Sequence, residues 1–255
     1  MTYALIYHDV VARAGREQTG FGGPLAARYK LAPDRFEEHL DRMTHWGVEI
    51  GALDGGTGRP QAVLTFDDGG ASALDAASAL DRRGWHGHFF VTTERIGTPG
   101  FLGGGDIQDL VARGHVVGSH SHTHPTYMGR LSPERIRTEW ERSADVLGDL
   151  LGERPWAASV PGGYLTGRVI DAAAAAGYRL LMTSEPTARE HHSVGMTVMG
   201  RYTTWDTTRA RQAAGYARGA MAPRARLWVE WNAKRVPKRL SPRLYQALRR
   251  VRARL

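Results

Sequence analysis

The chain has 255 residues, a formal net charge of +8 and no cysteine; the length suffices for one large core, and disulfides and thiolate metal sites are excluded. The basic excess is confined to one end. Residues 224–255 carry eleven Lys or Arg and one acid, Glu230, whereas residues 1–223 carry 23 bases and 25 acids, so an anionic partner is expected for the tail and not for the body.

Tyr3 to Tyr7 is a short apolar run with β character, and it meets His8 where the strand should end. No basic region precedes it, and His8 and Asp9 interrupt what would be the apolar core of a signal peptide. No later run reaches the ~20 apolar residues of a membrane span. A cytoplasmic location is the expectation. Residues 15–23 are glycine-rich and read as a loop. Pro33-Asp34 starts a helix through Trp46, with Phe36, Leu40, Met43 and Trp46 at helical spacing and Gly47 as its stop. After a loop over 51–60, Ala62 to Phe66 predicts a buried strand ending at Asp67 and Asp68.

A helix over 72–83, a strand over 88–92, a helix over 106–113 and a strand over 115–118 follow. The last runs into His120-Ser121-His122-Thr123-His124-Pro125. Ser132-Pro133 caps a long helix to Leu151. Residues 157–160 predict a strand ending at Pro161-Gly162-Gly163, followed by an alanine-rich helix over 168–176 and a strand over 178–183. Strand and helix alternate, which argues for a parallel sheet with helices packed outside. The candidate functional groups fall where strands finish, the C-terminal face of a (β/α) barrel. No repeat or linker divides the body, so the organisation expected is one domain over 1–222 and a basic tail over 223–255.

Two adjacent carboxylates and two histidines four apart can supply one carboxylate and two imidazoles to a divalent cation, with one carboxylate left to handle a proton. Oxygen and nitrogen donors without thiolate suit Zn²⁺, with Co²⁺ or Ni²⁺ as alternatives, and three protein ligands leave a position open for water. Neighbours on a strand project to opposite sides, so Asp67 and Asp68 are expected to take separate roles. Pro125 disfavours an α conformation at His124, which assigns the histidine pair to a turn after a strand. His122 is expected outside the ligand set. His86 and His88 read as ordinary surface or core residues, and His191-His192 as part of a solvated polar loop. Trp156, Trp205, Trp228 and Trp231 are expected to pack in the core rather than stack on sugars.

At these motifs the chain resembles the polysaccharide deacetylases (carbohydrate esterase family 4, the NodB-homology domain). Thr65-Phe66-Asp67-Asp68-Gly69 matches that family's T-F-D-D-G motif, and His120 to His124 its H-(S/T)-x-x-H motif. The resemblance implies an α/β fold, an irregular (β/α)7 barrel, and metal-assisted removal of an N-acetyl group from a sugar of a polysaccharide or lipid-linked glycan. Carried over residue by residue, it makes Asp67 the general base and Asp68, His120 and His124 the ligands of one divalent ion.

The third motif survives only in part. Ser159 stands where its base-orienting arginine would be, so that role is missing or supplied elsewhere, while Pro161-Gly162-Gly163 remains as a loop able to bring a backbone donor to the oxyanion. The fourth motif, D-x-x-D-W, is absent. The fifth motif's histidine is absent near the C-terminus, but Tyr7-His8-Asp9-Val10 resembles circularly permuted members that carry it on the first strand. First and last strands are neighbours in a closed barrel, so His8 is expected to be the general acid that protonates the leaving amine, a task that suits an imidazole.

The incomplete motifs keep two alternatives open: a catalytically weak glycan-binding protein of the same fold, and a hydrolase of another non-peptide C–N bond. In the tail, Leu244, Leu248, Val251 and Leu255 share one helical face bordered by Arg243, Arg249, Arg250, Arg252 and Arg254. Such a helix suits an anionic lipid surface or docking apolar face inward on the barrel. Nucleic acid ranks last, because the body is near neutral.

Overall fold

The computed structural model describes residues 1–53 and 60–240, with side chains as far as Ala233. Strands and helices alternate through most of the chain: β1 (Tyr3–Tyr7), α1 (Pro24–Ala27), α2 (Pro33–His45), β2 (Ala62–Phe66), α3 (Ala73–Asp81), β3 (His88–Val91), α4 (Gly104–Ala112), β4 (Val116–Ser119), α5 (Pro133–Leu151), β5 (Ala157–Ser159), α6 (Gly167–Ala175) and β6 (Leu180–Met182). Then come β7 (Glu190–Ser193), β8 (Met196–Met199), β9 (Arg201–Thr203), α7 (Ala210–Ala217) and α8 (Met221–Leu240). Most boundaries lie within two residues of those read from the sequence. α4 starts earlier, because Asp106 Oδ2 accepts from the Gly103 amide (2.8 Å) and caps the helix there.

The strands form one nine-stranded sheet in the order β7-β8-β6-β5-β4-β3-β2-β1-β9, parallel throughout except for β7. This is the α/β architecture expected. β8 and β9 are two halves of one stretch parted by Gly200; its first half pairs with β6 and its second with β1. Both ends of the parallel series therefore meet on residues 196–203. Gly200 permits the change of partner, since a Cβ there would sit 2.4 Å from the Glu185 carbonyl oxygen.

The run holding His191 and His192 is not a loop. It is β7, joined antiparallel to β8 through Val194 and Gly195, both at positive φ (46° and 77°), the conformation of a two-residue hairpin turn. The two histidines are exposed there, so their solvated character stands while their backbone setting is corrected. Polar residues in a short edge strand leave no apolar alternation to read.

Every residue of β2 is buried, as a parallel strand covered on both faces requires. Phe36, Leu40 and Met43 of α2 and Leu80 of α3 join the outer face of the sheet in the largest apolar cluster; Ile136, Trp140, Ala144, Val169 and Ala173 of α5 and α6 form a second. A third lies on the inner face: Ala4, Val63, Phe90, Ala157, Leu180, Met182 and Met199, with Leu53 and the flanking Trp156. Strand alternation carries the inner series upward from Ala4 to Ile6 and His8, from Val63 to Thr65 and Asp67, and from Ala157 to Ser159. Trp205 packs against the core as expected, but Trp228 is 51% exposed.

The start of α8 docks on the body. Leu227 is buried in the main core, and Arg224 donates to the Tyr202 hydroxyl (2.7 Å) and stacks over Tyr3. The first turns of the tail thus pack on the body, which covers Leu227. The apolar face expected from Leu244 to Leu255 lies outside the described residues.

Two buried histidines are held neutral. His39 Nε2–H donates to the Thr208 carbonyl (2.9 Å) and its Nδ1 accepts from the Tyr7 hydroxyl (3.1 Å); His88 Nε2 accepts from the Leu53 amide (2.9 Å). Burial lowers them to about 4 and about 3 respectively. The unfolded chain binds these protons near pH 6.5 and the folded chain does not, so the stabilisation is complete above that pH and is lost on acidification. Urea unfolding should show these contributions level from pH 7.5 to about 6.5 and then falling toward pH 4.5 by about 1.4 kcal/mol per pH unit for each histidine, with a shallower fall in His39→Gln.

Candidate active site

Register and alternation bring the motif residues together. β1 and β2 are paired Tyr7 to Phe66, so His8 and Asp67 emerge side by side at the strand ends. Asp67 is a continuation of the inner face, and its amide donates to the Tyr7 carbonyl (3.0 Å). Asp68 does not follow the alternation expected of it. It lies beyond the strand at φ 80°, and this left-handed residue turns its carboxylate back to the same side. Both carboxylates therefore face His120, whose Nε2 is 4.0 Å from Asp67 Oδ2 and 3.5 Å from Asp68 Oδ1.

His120 follows β4 directly, and His124 lies in the turn beyond it at φ 59°, outside any helix. His124 Nε2 is 3.3 Å from Asp68 Oδ1. Among the described residues, Asp68, His120 and His124 alone group as metal-binding candidates, with their ligand atoms within 4.8 Å of one another. The set fits a divalent cation. Asp68 Oδ1 is buried without a hydrogen-bond partner, an arrangement costly for a carboxylate unless a cation meets it. His120 Nδ1–H donates to the Ser159 carbonyl (3.0 Å), which leaves the Nε2 lone pair facing Asp68. His122 points elsewhere, its Nδ1 2.9 Å from Thr93 Oγ1.

The turn that carries these ligands is held by a residue the sequence reading passed over. Glu139 of α5 is buried, and it accepts from the His122 amide (3.1 Å), the Thr123 amide (2.8 Å) and the Thr123 hydroxyl (2.6 Å). Ser121, also left-handed at φ 64°, accepts from the His124 amide through Oγ (3.1 Å). Two non-glycine residues in this strained region persist because their surroundings fix them. The available signal was an acid at helical spacing from Ile136 and Ser143, within the buried stripe of α5.

The arginine that holds Asp67 comes from the far end of the chain. Arg201 of β9 is fully buried and uses all five of its N–H donors. Nη1 and Nη2 grip Asp67 Oδ1 and Oδ2 at 2.7 and 2.8 Å; Nη1 also reaches Thr65 Oγ1 (2.8 Å), Nη2 reaches Ser159 Oγ (2.6 Å), and Nε reaches the Thr183 carbonyl (3.1 Å). Ser159, which stands in the motif-three position, is one of the five acceptors. Burial pushes the Asp67 carboxyl upward, but the Arg201 guanidinium, with His120 and His8 behind it, outweighs burial and holds Asp67 below the ordinary carboxylate range. Burial likewise opposes ionisation of Asp68, and the three imidazoles of His124, His8 and His120 overcome it and hold that carboxyl far down. Burial takes His120 to about 4, whereas the Asp68 carboxylate raises His124 against the effect of burial.

The segment between β1 and α2 forms a wall over the site. Buried Asp9 accepts from Thr19 and Ser72 (2.8 Å each) and lies 3.7 Å from the ammonium of buried Lys30, which also donates to the Arg16 and Thr19 carbonyls. That tie sets Tyr29 against the His8 ring (4.6 Å between centroids) and Phe21 against the His124 ring (4.6 Å). His8 Nδ1 is buried without a hydrogen-bond partner, so no described carboxylate takes the place of the missing fourth motif. In the loop Pro161-Gly162-Gly163, proline has no amide hydrogen and the Gly163 amide donates to Val160 (3.3 Å), which leaves Gly162 as the donor that the loop can offer. Gly162 is at φ 64° and packs over the Thr126 carbonyl, 2.5 Å from where a Cβ would be.

Residues 54–181, half of the chain, match the family model described as polysaccharide deacetylase, and the chain belongs to that family. In fold it is similar to a polysaccharide deacetylase from Bacillus cereus (TM-score 0.71, 19% identity, covering 85% of this chain and 68% of that one). It is similar also to IcaB from Ammonifex degensii (0.68, 20%, 85% and 97%) and to the deacetylase PplD from Streptococcus pyogenes, whose structure contains acetate (0.68, 19%, 82% and 95%). An uncharacterised 30.6 kDa protein encoded in the fumA 3′ region of Geobacillus stearothermophilus is 28% identical over 123 residues, 48% of this chain and 43% of that protein. The match thus spans less than half of that relative's length.

Removing the guanidinium strands a buried carboxylate. Arg201→Met should cost about 3–5 kcal/mol in denaturant unfolding. It should also move the acidic limb of kcat/KM to higher pH, because Asp67 then takes its proton more readily. Arg201→Lys keeps the charge without the planar fork and should recover only part of either effect. Glu139→Ala should weaken Co²⁺ or Zn²⁺ binding by about 10–100-fold, measured by competition with a chelating dye, as for other groups that orient ligands from behind.

Proposed function

We propose that this protein is a metal-dependent hydrolase that removes the acetyl group from an N-acetylated sugar of a polysaccharide or lipid-linked glycan. The observation that carries the reading is the pairing of an anionic, arginine-held carboxylate with a separate Asp-His-His set a few ångströms away. Asp68, His120 and His124 would hold one divalent ion, most simply Zn²⁺, with Co²⁺ or Ni²⁺ also suited to the donor set. When bound, such an ion acidifies water and polarises a carbonyl oxygen.

The chain's own residues do the rest. Asp67, ionised and fixed by Arg201, accepts a proton from the attacking water at Oδ2, the oxygen nearer His120. The water oxygen adds to the acetyl carbon, and the Gly162 amide stabilises the charge that develops on the carbonyl oxygen. His8, on the opposite side of Asp67 from β3, gives its proton to the sugar nitrogen as the C–N bond breaks, releasing acetate and an amine. Tyr29 and Phe21 exclude solvent beside His8 and His124. The first-strand position of His8 supports the reading of the chain as a circularly permuted member.

For location, the proposal rests on the tail. Trp228 and Val229 are exposed on the first part of α8, within the segment that carries the basic excess. This supports a cytoplasmic enzyme that lies against an anionic membrane surface, where its substrate is lipid-linked. No described helix is long and apolar enough to cross a membrane.

Acetate release from N-acetylglucosamine oligomers and from a lipid-linked N-acetyl sugar tests the reading. Activity should vanish on chelation, return with Zn²⁺, and fall by about 10²-fold or more in Asp67→Asn and His8→Ala, with Asp67→Asn still binding one metal per chain. Deletion of the tail should impair turnover of the lipid-linked acceptor alone. Sugar binding without turnover on every acceptor would replace the enzyme with a glycan-binding protein.

A further inference from the structure

One cation stands beside the ligand set without a role in it. Arg95 ends the short 3-10 turn Thr93–Arg95 that follows β3, at the same strand ends as the active residues. Its guanidinium carbon lies 5.7 Å over the Phe21 ring, and Phe21 lies 4.6 Å from the His124 ring. Arg95, Phe21 and His124 therefore form one run of ring contacts that ends on the His124 imidazole. Phe101 fixes the middle ring edge-on (5.2 Å), and the Arg95 carbonyl is tied to the Thr98 hydroxyl (2.7 Å), so both the ring and the backbone of Arg95 are set in place.

What the guanidinium lacks is an acceptor. Its Nε is buried and has no hydrogen-bond partner, and Arg95 makes no ion pair with any described residue. The contrast with Arg201 is direct, since there all five donors are matched. A stacked guanidinium keeps its N–H groups in the plane of the fork, directed past the ring edge, where they suit two oxygens of one anion. A second arginine, Arg130, stacks over Tyr127 (5.4 Å) beyond the ligand turn, but it is exposed, and no buried donor of its side chain is left without a partner.

We propose that Arg95 is a specificity-determining residue that binds an anionic phosphate group on the acceptor, so that the preferred substrate is an N-acetyl sugar carrying a phosphate near the acetamido group. The proposal deepens the deacetylase reading and rests on it for the word substrate, but the anion site can be measured without turnover. Phosphate, with tetrahedral oxygens and up to two charges, suits the terminal N–H groups of a guanidinium whose Nε is already without an acceptor. A phosphate joined to a lipid and one joined to a soluble sugar offer Arg95 the same chemistry.

The decisive experiment is a ligand-detected NMR titration of metal-free, full-length protein with N-acetylglucosamine and with N-acetylglucosamine 1-phosphate. Removing the metal prevents the phosphate from binding there instead. The wild type should bind the phosphorylated sugar at least ~10-fold more tightly, with the preference shrinking as salt is raised. Arg95→Gln should abolish the preference while binding the neutral sugar within about twofold of wild type, a readout that a misfolded variant would not preserve. Arg130→Gln should keep the preference. Equal affinity of the wild type for both sugars, or a preference that survives in Arg95→Gln, would overturn the proposal. Acetate release measured on the metal-loaded enzyme separates the two readings: if no acceptor is deacetylated, the enzyme reading fails while the titration still decides the anion site. A lipid-linked phosphorylated acceptor, compared with the soluble one, then distinguishes the two sources of phosphate by whether Arg95→Gln raises KM equally for both.

Discussion

Everything at this site depends on keeping one carboxylate ionised inside a protein. A buried aspartate left to itself takes a proton. The fold answers with a guanidinium whose donors are all matched: two to Asp67, one each to Thr65, Ser159 and the Thr183 carbonyl. These partners lie in or just after β2, in β5, and just after β6, so the same group that keeps Asp67 ionised also ties together strands remote in the chain. The interior of the sheet is apolar below this level, where Ala4, Val63, Phe90 and Met182 pack, and polar above it. Arg201 marks the boundary.

Around that pair, backbone strain is concentrated where function needs it. Asp68, Ser121 and His124 all adopt the left-handed region that L side chains avoid. In each case the conformation turns a chain leaving a strand back over the end of the sheet. Glu139 and the Ser121 hydroxyl hold the histidine turn from behind, while the Asp9–Lys30 pair holds the facing wall. Stability is thus used at the rim to fix geometry that the local sequence would not choose.

Much of this was legible in the sequence. The order of strands and helices followed from apolar runs and their glycine and proline stops, and Asp67, Asp68, His120 and His124 were evident because short-range motifs hold them. Their separate aims were misread: alternation describes strands, and Asp68 has already left one. Arg201 was not legible, because its partner lies 134 residues away and nothing local links them. The substitution makes physical sense only in three dimensions. The small Ser159 side chain leaves space that an arginine arriving from the opposite side fills, and its hydroxyl becomes an acceptor for the newcomer. A lone arginine in the apolar stretch Met196–Thr203 was the one available hint. Phe21, Tyr29 and Arg95 were hidden for a similar reason, since a loop's aromatic residues acquire meaning from what they cover.

The stretch that joins the two ends of the sheet has a consequence for the order in which the protein becomes functional. During synthesis the candidate metal-binding residues emerge early, all before residue 125, and the family-matched region ends at residue 181. The guanidinium that holds Asp67 ionised arrives only with residue 201, on the strand that pairs with β1. A nascent chain can therefore possess Asp68, His120 and His124 and still hold an uncompensated Asp67. The step that joins the last strand to the first also brings the guanidinium to Asp67, so completion of the sheet and charging of that carboxylate are a single event.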